Sequence, residues 1–443
     1  MKALADFAET IEFAPASFAG LSQYVDVEWV QKALGARGAS EVKVRRRKLP
    51  PEVALWLPIG MGLFRDRSIH EVVEHLELVV DDRAGAGVSA GAIPGARARV
   101  GSDPLATLFE LSAESWSKLY LEEDRWRGLT LWAMDGSCLN LADTEENASA
   151  FGRADGRSQS AFPQARIAAL INTRTRILAG LSAGAYDKGE LTLLQPLWGL
   201  IPDHSMTLVD RGLHSWWAFH ALNTQGSERH WLTRARDNLS AKVVRKLGRG
   251  DDVVEVTILA KTRKKHPEAP EKLLMRRVRV IRKGYKSTVL LTSALDPERY
   301  PACELRDVYV QRWEIELAYD EIKTHLLESE VCLRSKTADG VRQELYGIGI
   351  AYNLVRLELA RVAKDLRIDP GRMSFRHAVG LIRGFMLSVW ATSPGAVPKR
   401  LASLEKHIRL LVLPARRKRS YPRVVRRRDA RYPVARARAG LPK

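Results

Sequence analysis

Cysteine is scarce: 443 residues contain three, Cys138, Cys303 and Cys332, and no two form a C-x-x-C pair. That spacing argues against a disulfide framework or a cysteine-based zinc site, so the three read as reduced structural thiols. The chain also lacks any apolar run of the roughly 18 or more residues that a membrane span needs. Its start, Met1-Lys2-Ala3-Leu4-Ala5-Asp6, has no long apolar stretch leading to a small-residue cleavage site. A cytoplasmic protein with no membrane partner is the expectation. Acidic residues are in deficit, 52 Asp+Glu against 71 Lys+Arg, giving a net charge of +19. Polyanions are the expected partners of such a chain. The excess is concentrated at the end, because residues 415–443 hold 12 Lys+Arg and the single acid Asp429, or +11. With 45% hydrophobic, 28% charged and 7% aromatic residues, the remainder has a globular composition, long enough for about three domains.

From Phe7 to about Asp82 the pattern is helical. Val25 to Leu34 stops at Gly35, Pro50-Pro51-Glu52 opens a helix through Val53 to Phe64, and another follows Asp66-Arg67-Ser68. Between the first two lies the basic run Arg45-Arg46-Arg47-Lys48. Residues 84–96, rich in Gly and Ala, read as a linker, and a helix follows Asp103-Pro104. The pattern then turns α/β. Leu129 to Met134 is an apolar strand ending in Asp135-Gly136, with further strands over Ala165–Asn172, Arg176–Ser182 and Ser205–Asp210, and helices over Leu191–Leu200 and His214–Leu222. Val253–Ala260, Leu273–Arg282 and Ser287–Leu295 read as a β-rich insertion whose connection is Lys261–Pro270. The rest reads as helix through Leu327, then Val341–Leu366 and Ser374–Val389, then the arginine tail.

Asp135 and Asp210 each close an apolar strand, each with glycine within two residues, at the strand edge where α/β sheets bind ligands. A lone carboxylate there is ordinarily a cap or turn residue; two in equivalent positions suggest a site. A third candidate comes from the helix Tyr309 to Lys323. At about 100° per residue, Tyr309, Arg312, Glu316 and Lys323 fall inside one arc of about 60°, beside an apolar face of Ile315, Ala318, Tyr319, Ile322 and Leu326, while Glu314 and Glu321 are expected to point to solvent. The plainer alternative is a salt-bridged helix face, pairing Arg312 with Glu316 and Asp320 with Lys323. Three carboxylates interleaved with Arg and Lys suit metal-assisted phosphoryl transfer on a nucleic acid, with Asp203 and Asp320 as substitutes should one of the three prove structural. Zinc suits the chain poorly, since His70-Glu71-Val72-Val73-Glu74-His75 spaces its histidines by five, about 140° apart on a helix. Trp216, Trp217 and Trp231 could stack on a displaced base, though core packing is the commoner use.

The run Tyr309-x2-Arg312-x3-Glu316-x6-Lys323 resembles, at every spacing, the Y-x2-R-x3-E-x6-K signature of the insertion sequence 4 family of DDE transposases. Met134-Asp135-Gly136-Ser137 and Leu208-Val209-Asp210-Arg211-Gly212 resemble the blocks carrying that family's two catalytic aspartates, and Arg47 to Glu52 with Met61 to Asp66 resembles its N-terminal domain. The similarity spans about residues 20–390 and leaves the tail outside. The resemblance implies a ribonuclease-H-like α/β catalytic core interrupted by a β-rich insertion between Asp210 and Glu316, with an α-helical N-terminal domain and a helical C-terminal region. The implied division is 1–118 for DNA binding, 119–390 for catalysis with the insertion at about 235–300, and a basic tail over 391–443. It implies Mg²⁺, with Mn²⁺ as a substitute, held by Asp135, Asp210 and Glu316. DNA contacts are expected from Tyr309, Arg312, Lys323 and Arg211, and from Arg45, Arg46, Arg47 and Lys48. The implied partners are double-stranded element ends and target DNA, engaged by a homodimer at the bacterial nucleoid, and the implied chemistry is cut-and-paste transposition. A non-catalytic DNA-binding descendant and a structure-specific nuclease without joining activity remain the alternatives.

Prolines 422, 433 and 442 interrupt the arginine runs of the tail, so a cationic arm is the expected state. Deleting residues 415–443 should weaken non-specific DNA binding and flatten its salt dependence by about 0.9 in log–log slope for each phosphate no longer neutralised. Binding isotherms at several salt concentrations check this, and an unchanged slope would remove the arm from the DNA.

Overall fold

The computed structural model describes residues 18, 21, 23–35, 49–76, 78, 89, 91–121, 125–154, 160–281, 287–328, 332–389 and 392–415. The basic run Arg45–Lys48 and the arginine-rich end from residue 416 lie outside them.

Among the described residues six helices come first: α1 (Val27–Gly35), α2 (Pro51–Ala54), α3 (Trp56–Leu63), α4 (Ile69–His75), α5 (Ala92–Val100) and α6 (Asp103–Ser117). Local chemistry accounts for several ends. Proline opens α2, and Ser68 with Glu71 forms a reciprocal capping box at the start of α4. The supposed linker is helical from Ala92, because Arg97 is anchored by tertiary bonds: it donates to Gln343 Oε1 at 3.1 Å, Ser335 Oγ at 3.0 Å and the Gly340 carbonyl at 2.9 Å.

The mixed α/β part follows with β1 (Thr130–Leu141), α7 (Glu145–Phe151), β2 (Gln164–Asn172), β3 (Leu178–Ala185), α8 (Glu190–Leu194), β4 (Ser205–Val209), α9 (Trp216–Thr224) and β5 (Arg229–Arg234). Then come β6 (Lys242–Gly248), β7 (Asp251–Thr257), α10 (Ala260–Lys265), β8 (Lys272–Val280) and β9 (Thr288–Thr292). The C-terminal part comprises α11 (Ala302–Val310), α12 (Trp313–Asp320), a π-helical stretch Glu321–Leu326, β10 (Cys332–Leu333), α13 (Ala338–Asp365), α14 (Phe375–Val389) and α15 (Val397–Ile408).

Among the described residues ten strands form one large mixed sheet in the order β3-β2-β1-β4-β5-β9-β8-β7-β6, with β10 pairing the far end of β1. Strands β1, β4 and β5 are parallel, and the other pairs along that order are antiparallel. The strands of the insertion thus continue the sheet edge. Three of the ten, β5, β6 and the two-residue β10, escape the sequence pattern: β5 is flanked by arginines, and β6 is an edge strand rich in Lys and Arg, the composition that keeps an edge from pairing further. The connection after β7 carries the unexpected α10, and α15 forms where the basic tail was expected to begin.

The central strand is buried on both faces, as its unbroken apolar run predicts. Leu131 and Ala133 join the core shared with the N-terminal helices, α13 and α14, whereas Trp132 and Met134 join a second core with α8 and α9. Trp231 stacks on Phe219 there with centroids 4.3 Å apart, and Trp217 on His266 at 3.7 Å, so both tryptophans are core residues. The N-terminal helices meet the rest chiefly on α13, with α6 also packed against β3. At Gly347 a Cβ would come within 2.5 Å of the Pro58 backbone, so only glycine allows α3 this close.

The helix expected over Leu305–Leu327 is three pieces, broken at Gln311–Arg312 and loosened to a π turn from Glu321. This overturns the solvent-facing assignment of Glu314 and Glu321. Glu314 pairs with Arg176 at 2.6 Å. Glu321 is buried, accepting from Arg176 Nη1 at 2.5 Å, Arg356 Nε at 2.8 Å and the Tyr352 hydroxyl at 3.0 Å. Removing one member of a buried ion network leaves the others uncompensated. Glu321→Gln should therefore lower unfolding free energy by about 3–5 kcal/mol, measured by urea denaturation; a loss below about 1 kcal/mol would mean that solvent screens the network.

Candidate active site at the β1–β4 edge

Asp135 and Asp210 are brought side by side by sheet register. The last parallel pair of β1 and β4 is Met134 with Val209, and each aspartate is the next residue. Asp210 ends its strand, and its carboxylate caps the following 3-10 turn by accepting from Gly212 N at 2.8 Å. Asp135 does not end its strand, contrary to the sequence reading: β1 runs on to Leu141, because β2 keeps pairing with it from Asp135–Ala169 to Asn140–Gln164. The Asp-Gly step looked like a turn, yet here glycine serves a close approach, since a Cβ at Gly136 would lie 2.6 Å from Glu190 Cγ.

Glu316 arrives from α12, which packs over β1. Tyr319 on the same helix donates from its buried hydroxyl to the Asp135 carbonyl at 2.9 Å. Between the three acids stands Arg312, at the break between α11 and α12. Its Nη1 is 3.9 Å from Asp135 Oδ2 and 3.7 Å from Asp210 Oδ1, and its Nη2 is 2.5 Å from Glu316 Oε1. Half of the salt-bridged-face alternative is thus real, as Arg312 does meet Glu316. The other half is not. Asp320 accepts from the Thr324 hydroxyl, while Lys323 donates to Ser137 Oγ at 2.6 Å and the Cys138 carbonyl at 2.9 Å. Burial lowers the Lys323 pKa and raises that of Tyr309, whose neighbours include Arg312, Asp210 and Arg234.

The remaining candidates divide. Arg211, beside Asp210, forms an exposed pair with Asp237 at 3.3 Å. Asp203 holds a turn at the opposite end of β4, accepting from Ser227 N and Arg229, which takes it away from the site. Three participants were missed: Glu190, whose charge reaches Asp135; Trp313, half-exposed with its ring 5.9 Å from the Arg312 guanidinium; and Arg236, which lines an open cleft of about 530 Å³ with Asp210, Arg211, Gly212, Asp237 and Asn238. A second cavity of about 300 Å³ shares Arg236 and Asp237 and adds Arg234, Arg277 and Arg279. Glu190 and Arg236 have no motif, so no local signal could have found them; Trp313 sits inside the signature and could have been weighed.

The three carboxylates offer hard oxygen donors of the kind Mg²⁺ and Mn²⁺ take, and the guanidinium among them is a stand-in cation, so the set fits a divalent ion in charge and chemistry. Among the described residues no three acidic, His or Cys side chains converge closely enough to hold an ion as they stand, since the acids meet on Arg312 instead. Asp135 feels the crowding: burial, then the charges of Asp210 and Glu190, raise its pKa from 3.8 to about 6 despite the opposing hydrogen bond from Gly136 N and the opposing charge of Arg312. The folded protein therefore holds this proton more tightly than the unfolded chain does. The charged form weakens the fold above about pH 6, and the penalty fades as pH falls, disappearing below 3.8. Asp135→Asn should accordingly raise stability at pH 7.5 by on the order of 1–3 kcal/mol and have no such effect at pH 3.5, read by thermal unfolding at both pH values. Equal shifts at the two would remove the electrostatic cause.

Comparison with known proteins identifies the family. Residues 15–110 match the family described as insertion element 4 transposase N-terminal, and residues 126–354 match the transposase DDE domain. Transposase InsG for insertion sequence element IS4 of Escherichia coli is 34% identical over 417 residues, covering 94% of this chain and 93% of that protein. The putative transposase InsZ of the same organism is 32% identical over 245 residues, 54% of this chain and 79% of that one. A solved piggyBac transposase synaptic complex with hairpin DNA aligns at a TM-score of 0.44 and 11% identity, over 92% of this chain and 87% of that one. DDE transposase domains use divalent metals. Matched over both its N-terminal and DDE regions and over nearly the full length of an IS4 transposase, the chain belongs to the insertion sequence 4 family of DDE transposases and is a DNA transposase.

Proposed function

We propose that this transposase excises its element by cut-and-paste, cleaving the element's ends and joining them to target DNA, with Asp135, Asp210 and Glu316 holding Mg²⁺, or Mn²⁺ in its place. The observation carrying the proposal is that carboxylates from β1, β4 and α12, remote in sequence, converge on one cationic group. Divalent ions bound there would neutralise the charge developing on the entering and leaving oxygens of an in-line displacement. The chain's own groups do the rest. Arg312 is suited to a phosphate oxygen pair through its planar fork, Lys323 supplies a point charge two residues along β1 from Asp135, and Tyr309 orients the Arg312 guanidinium from 6.0 Å. The arginine-lined cleft beside Asp210 supports the passage of a DNA strand, with Arg211 and Arg236 at its rim.

The proposed domain division is 1–118 for end binding, 119–390 as a ribonuclease-H-like catalytic unit, and a basic tail beyond. The strand order β3-β2-β1-β4-β5, which places both aspartates centrally, supports that core. Arg45, Arg46, Arg47 and Lys48 are proposed phosphate contacts of the first unit, and a homodimer is proposed to pair the two ends. Among the described residues no helix is long and apolar enough to cross a membrane.

Incubating the protein with a labelled element end, target duplex and Mg²⁺ separates the alternatives: cleavage with joining is expected, cleavage alone would indicate a nuclease, and neither a DNA-binding descendant. In that assay Asp135→Asn, Asp210→Asn and Glu316→Gln should each abolish cleavage while end binding persists, and near-normal cleavage by any of them would remove that residue from the triad. Arg312→Lys keeps the charge but loses the fork, so cleavage should fall by the equivalent of about 1–3 kcal/mol; wild-type cleavage would reduce Arg312 to a structural salt bridge.

A further inference from the structure

Arg312 has two demands on a single guanidinium. Both terminal nitrogens face the acids, Nη1 between Asp135 and Asp210 and Nη2 on Glu316, and the side chain is only 11% exposed. A guanidinium committed in this way cannot present the same two nitrogens to a phosphate. The position it occupies is also the one a divalent ion would need, because it is where the three acids converge. We propose that Arg312 is an internal counter-ion that competes with the divalent metal for Asp135, Asp210 and Glu316, and that a DNA phosphate draws it off them, so that metal loading is coupled to engagement of a DNA end. This rests on the reading of the three acids as metal ligands.

Three features make the exchange physically reasonable. Without some cation, three carboxylates facing one another repel, and the burial of Asp135 sharpens that cost; Arg312 supplies the cation from within the chain. A phosphate offers two oxygens to two parallel charge-assisted bonds, a better match than three carboxylates of which two stand at 3.7 and 3.9 Å. The residue also lies at the break between α11 and α12, flanked by the rings of Tyr309 and Trp313 at 6.0 and 5.9 Å, which give a displaced guanidinium an aromatic surface to rest on. Coupling of this kind is reciprocal, so metal should in turn strengthen end binding.

The test is Mn²⁺ binding to the full chain, read as free Mn²⁺ by electron paramagnetic resonance, with and without an element-end duplex and with the duplex alone as a blank. In the wild type, the duplex should tighten Mn²⁺ binding. Arg312→Gln should bind Mn²⁺ more tightly than wild type without DNA, by about 5–150-fold, the usual span of a coupling between sites, and the further gain from DNA should shrink. Arg312→Lys, which cannot span three acids at once, should lie between the two and serves if the glutamine variant does not fold. Glu316→Gln should bind Mn²⁺ more weakly. If the Arg312 variants fold and bind Mn²⁺ no better than wild type while Glu316→Gln binds it worse, the counter-ion role is overturned and the ligand assignment stands. If neither Glu316→Gln nor Asp135→Asn alters Mn²⁺ binding, the ligand assignment itself fails and the inference falls with it.

Discussion

One buried carboxylate holds the two halves of the site together. Glu321 sits between Arg176, from the turn joining β2 and β3, and Arg356 of α13, with the Tyr352 hydroxyl completing its shell. Two guanidinium groups and one carboxylate cannot be left apart in a dry interior, because each would lose its hydration without replacement. Their pairing therefore fixes the segment carrying Glu321 against both the sheet and the long α13. Glu316 lies five residues before it and Lys323 two after, so the same constraint aims one at the aspartates and the other at Ser137. The π turn beginning at Glu321 is the local consequence: an extra residue per turn lets the carboxylate face inward while Lys323 still reaches β1.

The sheet contributes the other half by register. Parallel pairing of β1 and β4 makes neighbours of residues 75 positions apart, and antiparallel pairing with β2 carries β1 past the level at which β4 stops. Asp135 is consequently held by hydrogen bonding on a continuous strand while its side chain stands at an open edge. The N-terminal helices reach this frame through α13, where Gly347 admits the Pro58 backbone and Arg65 pairs with Glu344 at 3.0 Å. A helix 28 residues long thus touches the N-terminal helices at one stretch and the Glu321 network at another.

Electrostatics then sets the character of the site. Burial, with the charges of Asp210 and Glu190, raises the proton affinity of Asp135, and the three acids gather an arginine among them. A site built in this way is costly to the fold and responsive to added cations, a combination common where charge rearranges during function.

Much of this was legible in the amino-acid sequence because it depends on short-range spacing or on composition. The unbroken apolar run Leu129–Met134 specifies a strand buried on both faces, the Ser68–Glu71 box specifies a helix start, and Tyr309, Arg312, Glu316 and Lys323 carry a family signature in their spacing alone. What failed to show depends on partners far along the chain. An Asp-Gly step is turn-like by propensity, yet Asp135-Gly136 stays extended since β2 supplies a ladder for it. Glu321 looks solvent-facing on an ideal helix, yet it is buried because Arg176 and Arg356, 145 and 35 positions away, come to meet it. Glu190 and Arg236 belong to no motif and enter the site only when the sheet is assembled. The sequence by itself determined which residues have the chemistry and, through the family spacing, which three carboxylates to group; the tertiary structure alone decided how closely they meet and that an arginine stands among them, since electrostatic neighbours are selected by distance in space, to which spacing along the chain is blind.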